Sequence, residues 1–292
     1  TQSLTKELMC RLAFSLLLSI FALSSALFAQ FAPEEEPYRI ALLGCIREYE
    51  PAPALWKYTE IDADIALWVG DNIYADTEDD PSVIANGYQT LGNLEAFKAF
   101  KSQVPFLATW DDHDYGDNNE NKHYALKKES KQLFREFWEL EDKIPADQEG
   151  IYYSHYEVAH GTTLQFIFLD VRYNRDEPGI DGDMLGETQW EWFEEELKVN
   201  ADIRFVISGS QILLNKETGS ETWDNYPSEK NRLFQLIKTT GAEGLVFLTG
   251  DQHYGEVARQ VDVLDYDAIE LQFAGVNQIE DSEKNIYIES LP

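Results

Sequence analysis

The chain has 292 residues, with 54 acidic against 23 basic side chains, a formal net charge of −31 and a pI near 4.3. That length buries a full hydrophobic core, and 43% hydrophobic with 13% aromatic residues excludes intrinsic disorder despite the charge. The acidity excludes a nucleic-acid-gripping surface or a broad anionic-membrane footprint, because both partners would be repelled.

Residues 1–30 read as a secretory leader. Lys6 and Arg11 precede an 18-residue stretch, Leu12 to Ala29, interrupted only by serines and ending in small residues before Gln30. A basic start, an apolar middle and a small-residue exit describe a signal peptide with Met9 as its start, which predicts a periplasmic or extracellular protein. The competing reading is an uncleaved anchor, since 18 residues is near the lower limit for spanning. Cleavage removes Cys10, ends stable membrane association and leaves Cys45 as a lone thiol, either buried and inert or bound to something. Residues 31–292 then form one domain, with no internal repeat.

Along that domain, apolar runs of four to seven residues end abruptly in polar clusters. Tyr38–Leu43 leads into Gly44-Cys45, Ile65–Val69 into Gly70-Asp71-Asn72, and Val104–Trp110 into Asp111-Asp112-His113-Asp114. Leu164–Leu169 leads into Asp170-Val171-Arg172, Arg204–Ile207 into Ser208-Gly209-Ser210-Gln211, and Leu245–Thr249 into Gly250-Asp251-Gln252-His253. Runs of this length and composition predict buried strands. Between them, Leu91–Lys101, Lys127–Glu141, Glu187–Asn200 and Ser228–Thr240 carry apolar residues at helical spacing. Thr188 or Glu187 is expected to cap the third helix, and Pro227-Ser228 to open the fourth. The alternation predicts an α/β fold. Val257–Val263, Ala268–Phe273 and Ile286–Glu289 read as purely β, a second sheet or an antiparallel edge.

Sites in α/β proteins collect at the carboxyl ends of strands. Four such ends carry Cys45, Asp71, Asp112 with His113, and Asp251 with His253, all of them metal-ligand types. Any one of these alone is an ordinary acidic turn or a structural side chain. Together in one crevice, unpaired carboxylates repel each other and cost several kcal/mol each to desolvate, which cations relieve. Asp71 and Tyr74, three apart over a turn, can bring both oxygens to one ion. Asp251 and His253, at i and i+2 of an extended segment, would point to the same side. His123, His155 and His160 lack such a context and read as structural.

At these residues the sequence resembles the PhoD-like alkaline phosphatases. The resemblance rests on Gly44-Cys45, Gly70-Asp71-Asn72-Ile73-Tyr74, the block from Thr109 to Asn118, Leu169-Asp170-Val171-Arg172 and Gly250-Asp251-Gln252-His253. It implies the metallophosphoesterase fold, a four-layer α/β/β/α sandwich of two mixed sheets, and hydrolysis of small phosphate esters. It further implies that Asp71 bridges two metals, that Cys45 and Tyr74 bind the first, and that Asp112, Asp251 and His253 complete the ligand set. Fe³⁺ and Ca²⁺ are the implied cofactors. Thiolate and phenolate suit the ferric ion, and an oxygen-rich set of Asp71, Asp112, Asp251 and Gln211 suits calcium, with Zn²⁺ or Mn²⁺ as other options. No histidine stands near Ser208–Gln211 where the wider superfamily has a further ligand.

The expected reaction is attack of a metal-bound water on phosphorus. His113 would help the leaving oxygen, its side chain turned away from the metal beside Asp112, and Arg172 and Gln211 would contact the phosphate. Arg172 is equally readable as a structural ion pair in so acidic a protein. Two rivals stay open: a phospholipase D-type phosphodiesterase on the same site, and a non-catalytic, calcium-stabilised secreted binding protein. Cys45, Tyr74 and His113 argue against the second, since calcium binding needs none of them.

Overall fold

The structure, a computed structural model, describes residues 36–213, 221–273 and 275–278. The expected leader and the expected strand Ile286–Glu289 lie outside the described residues. The described residues from Tyr38 onward form one compact unit.

Strands β1 (Ile40–Leu43), β2 (Ile65–Val69) and β3 (Phe106–Thr109) pair in parallel as a three-stranded sheet in that order. Every residue of β2 is buried, so its pattern is a continuous apolar run and not an alternation. Between these strands lie helices α1 (Pro53–Glu60), α2 (Pro81–Asn93) and α3 (Glu95–Lys101). A helical turn, α4 (Asp112–Tyr115), and helix α5 (Lys127–Phe137) follow β3. The single helix expected over Leu91–Lys101 is two helices. Leu94 is extended, with ψ of 126°, and is at once the last cap of α2 and the first of α3. Gly87 and Gly92 dilute the apolar face of α2, which hides it in the sequence; the helix starts at Pro81, with the Asp80 carboxylate accepting from Ser82 N–H at 2.9 Å.

The second sheet is mixed. It contains β4 (Tyr153–Ala159), β5 (Thr162–Phe168), β6 (Ile203–Ser208), β7 (Leu245–Thr249), β8 (Gly255–Gln260) and β9 (Ala268–Phe273), in the order β4-β5-β6-β7-β9-β8. Its two end pairs are antiparallel and its interior pairs parallel, so the C-terminal β segment forms an antiparallel edge of this sheet. Helices α6 (Glu187–Lys198) and α7 (Pro227–Thr240) cover one face. Gly186, not Thr188 or Glu187, takes the capping position of α6, and no side chain caps it. Helix α7 opens at Pro227 as expected and stops at Gly241, whose left-handed φ of 67° a side chain would oppose.

Alternate residues of β5 show the layering. Phe166 and Phe168 join a core shared with the three-stranded sheet and with α2, α3 and α5, whereas Ile167, and Leu169 just past the strand, join Trp190, Phe193, Leu233 and Phe234 beneath α6 and α7. Both faces of this sheet are thus buried, and the two sheets lie between helices. The first core is aromatic: Trp68 packs edge-on against Phe97 and Phe100 and tilted against Trp138. Among the described residues no helix is long and apolar enough to cross a membrane.

Candidate metal centre

Four of the proposed ligands stand where a strand stops and the backbone reverses hand. Cys45, Asp71, Asp251 and His253 have φ of 51°, 53°, 77° and 59°. Non-glycine residues avoid this region, and such strain persists where the surroundings over-determine it. Here the surroundings are the sheet itself. Cys45 N–H donates to Gly70 C=O at 3.2 Å and Ile46 N–H to Asp71 C=O at 2.9 Å, so the β1–β2 ladder continues past both strands and sets the thiol beside the carboxylate. Gly70, at φ of 108°, must be glycine: a Cβ there would lie 2.7 Å from Asp111 Cβ.

The resulting donors fall into two groups that share one residue. Ligand atoms of Cys45, Asp71 and His253 lie within 4.8 Å of one another, and so do those of Asp71, Asp112 and His113. Tyr74 belongs with the first group. Its hydroxyl is 3.2 Å from Asp71 Oδ2 and 3.0 Å from His253 Nε2, while Cys45 Sγ is 3.5 Å from the same Asp71 oxygen. The backbone N–H of Tyr74 is held at 3.0 Å by the buried Glu48 carboxylate.

Asp251 falls in neither group. The segment from Gly250 is not extended, because Asp251 and His253 are both left-handed; the i, i+2 rule for facing side chains therefore does not apply. His253 reaches Tyr74, while the Asp251 carboxylate accepts from the Gln252 amide. The expectation for His113 also changes. Asp112–Tyr115 is a helical turn, so neighbouring side chains diverge by about 100° and not 180°. One ring nitrogen of His113 consequently comes close to the Asp71 and Asp112 oxygens. Its Nδ1 pairs with the Asp76 carboxylate, and its ring packs on Tyr74 with centroids 4.2 Å apart.

Arg172 is completely buried and largely engaged. Its Nε donates to Asp111 Oδ1 at 2.5 Å and its Nη2 lies 2.6 Å from Glu221, with Asp112 further off at 3.8 Å. The ion-pair reading therefore describes most of what this side chain does, and only Nη1 lacks a partner among the described residues. Gln211 is buried too; its Nε2 donates to Glu256 at 3.4 Å, and its Oε1 has no partner among the described residues. The Glu256 carboxylate fixes the orientation of this amide, since the flipped form would oppose two oxygens.

The electrostatics are those of crowded carboxylates. Burial, and then the charges of Asp112, Asp111 and Asp114, push the Asp71 carboxyl well above its ordinary range. Burial also raises Asp111, to about 6 against the pull of Arg172, and Asp114, to about 7. Burial opposes ionisation of Asp112 as well, but Arg172 and His113 outweigh it and hold that carboxyl below the usual range. Burial and the Asp71 charge keep both the Cys45 thiol and the Tyr74 phenol protonated. Burial disfavours the charged form of His113, yet the Asp76 hydrogen bond and the Asp112 charge prevail and raise it.

These residues fit a pair of cations. Among the described residues, Asp71 Oδ1 and Asp111 Oδ2 are buried without a hydrogen-bond partner, a costly state for a carboxylate oxygen that a metal ion relieves. A positive ion would also reverse the local field and favour the deprotonated thiol and phenol, both of them metal ligands in that form.

Three participants escaped the reading of the sequence. Asp114 completes a capping box with Asp111 and accepts from Asn72 N–H at 2.9 Å, which fixes the turn next to Asp71. Glu48 orients Tyr74. Asp76 orients His113 from 37 positions upstream, a separation at which no local spacing rule operates.

Comparison with known proteins agrees with this architecture. A solved structure titled "Structure of PhoD" superposes with a TM-score of 0.69 at 19% sequence identity, covering 84% of this chain and 58% of that one. Alkaline phosphatase D of Bacillus subtilis (strain 168) is 26% identical over 200 residues, 57% of this chain and 33% of that protein. The chain thus spans about a third of the curated relative's length in that match. The family model for PhoD-like phosphatases matches residues 85–286, which takes in Asp112, His113, Arg172, Gln211, Asp251 and His253 and starts after Cys45, Asp71 and Tyr74. With more than half of its length matched, the chain belongs to the PhoD-like phosphatase family.

Proposed function

We propose that this chain hydrolyses small phosphate esters with two metal ions held at the strand-end cluster. The observation that carries the reading is the sharing of Asp71 by two donor groups, in a site where Asp71, Asp111, Asp112 and Asp114 are all buried. Cys45, Tyr74, His253 and Asp71 would hold one ion, and their sulfur, phenol and imidazole donors suit Fe³⁺. Asp71 and Asp112, with Asp251 close enough for its charge to act on Asp71, offer the oxygen donors that suit Ca²⁺, and the Gln211 amide would contact the phosphate. Bound cations would neutralise phosphoryl oxygens and supply the Lewis acidity that activates water.

The remaining work falls to the chain. With Nδ1 committed to Asp76, His113 has Nε2 left to donate a hydrogen bond or a proton to the departing oxygen. Arg172 keeps Asp111 and Asp112 compensated and fixes the block that carries His113. Metal analysis of the purified chain should find about two ions per molecule. A chromogenic phosphate ester should be turned over, and chelation should abolish the turnover. Metal-loaded protein inert towards monoesters and diesters alike would instead favour a calcium-stabilised binding protein.

The proposal includes export to the periplasm or beyond, on the basic, apolar, small-residue order of residues 6–30. N-terminal sequencing should place the mature start between Leu27 and Phe31. Thr1 or Met9 intact on cytoplasmic protein would contradict it.

A further inference from the structure

Glu270 is a buried carboxylate that the proposed chemistry does not use. It lies on β9, fully enclosed, and no ion pair accompanies it among the described residues. Three donors converge on it instead. Its Oε1 accepts from Ile212 N–H and from the Thr249 hydroxyl, each at 2.8 Å, and its Oε2 accepts from Leu213 N–H at 2.7 Å. Burying a carboxylate costs several kcal/mol unless it is hydrogen-bonded in this way, so an apolar residue would serve β9 better if packing were the only need.

The donors reveal what the carboxylate joins. Ile212 and Leu213 follow Gln211 directly, in the turn after β6. Thr249 ends β7, two residues before Asp251 and four before His253. These two exits are already neighbours, since Gly250 N–H donates to Gly209 C=O at 3.0 Å. Beyond Gly209, the backbone of Gln211 is held from one side by Trp223 N–H at 2.9 Å and from the other through the Ile212 N–H. Glu270 is therefore the group that ties the Gln211 turn to the strand end bearing Asp251 and His253.

We propose that Glu270 is a positioning residue for the phosphoesterase site, setting Gln211 against the β7 exit without touching substrate. The inference rests on the function proposed above. Two adjacent backbone N–H groups take one carboxylate oxygen each, and this explains why the position demands an acid. Glutamine keeps the shape but turns an NH₂ toward one of those donors, which frees the turn while preserving the fold. Aspartate is one methylene too short to span both.

A double-mutant cycle between Glu270 and Gln211 tests this on the metal-loaded chain. E270Q and Q211A are each expected to lower kcat/KM by about tenfold with metal content unchanged. The double variant should also lose about tenfold, because a freed Gln211 has nothing more to lose. A loss of about a hundredfold, the product of independent effects, would overturn the proposal. So would E270Q with a lowered melting temperature but wild-type kcat/KM, which is the signature of a purely structural residue. If E270Q does not fold, Thr249→Val removes one donor at nearly constant shape and should couple to Q211A in the same sense; additivity there overturns it equally. Wild-type protein that carries metal and hydrolyses nothing would defeat the function itself, and Glu270's role with it, whereas an active wild type with an additive cycle defeats the positioning role alone.

Discussion

Replacing Asp71 with asparagine is expected to remove metal and turnover together. Asp71 is the residue that the two donor groups share, and its Oδ1 is buried without a partner among the described residues. Changes one layer outside a metal's ligands already cost about 10–100-fold in affinity or activity, so the loss at the shared ligand should exceed about a hundredfold. Asparagine is the informative choice because it isolates the charge. The backbone at position 71 is left-handed, with φ of 53°, and asparagine tolerates that region as well as aspartate does. Its side-chain oxygen can still accept from Cys45 and Tyr74, whose bonds to Asp71 Oδ2 would otherwise be lost.

A second measurement separates this from simple damage. Burial and the charges of Asp112, Asp111 and Asp114 all disfavour an ionised Asp71. A carboxyl whose pKa is raised by folding subtracts stability above its unfolded pKa, and neutralising it removes that penalty. Metal-free Asp71→Asn should thus melt at or above the wild-type temperature, while the further rise that metal brings to the wild type disappears. An Asp71→Asn chain with full metal content and near-normal turnover would remove Asp71 from the centre of the site.

The strands were readable because burial on both faces makes them continuous apolar runs, as in β2 and β7, and their abrupt polar ends marked the site. Strand β4 was not readable. Its sequence, Tyr-Ser-His-Tyr-Glu-Val-Ala, mixes polar and aromatic residues as an edge strand does, so no apolar run announces it. On the same strand the His155 ring lies 3.4 Å from Glu157. Local rules failed where the backbone departs from regular geometry. The left-handed turn at Asp251 and His253 undid an argument from strand periodicity, and the single helical turn at Asp112 brings a ring nitrogen of His113 within 4.8 Å of the Asp71 and Asp112 ligand atoms. What could not be read at all were pairings across the fold, such as Asp76 with His113 and Arg172 with Glu221. These exist only once the strand ends have been brought together.

The His113–Asp76 pair yields the sharpest distinction between catalysis and ligation. Nδ1 of His113 is bonded to Asp76, the ring packs tilted against Tyr74, and the side chain is only 16% exposed, so its orientation is fixed before any substrate arrives. If Nε2 serves the leaving oxygen, His113→Ala should keep metal stoichiometry and melting temperature while lowering kcat by about 10²–10⁴-fold. The deficit should shrink for nitrophenyl esters, whose leaving group needs little protonation. Asp76→Asn should show a weaker form of the same pattern, about 10–100-fold, because it leaves the imidazole in place but weakens the group that orients it and favours its charged state. The geometry also permits the opposite result, since a ring nitrogen of His113 stands within 4.8 Å of the Asp71 and Asp112 ligand oxygens. In that case His113→Ala sheds metal, Asp76→Asn weakens metal affinity, and both losses are the same for good and poor leaving groups. Metal content measured alongside a leaving-group series thus assigns the imidazole to one role or the other, and retention of full activity by His113→Ala would exclude both.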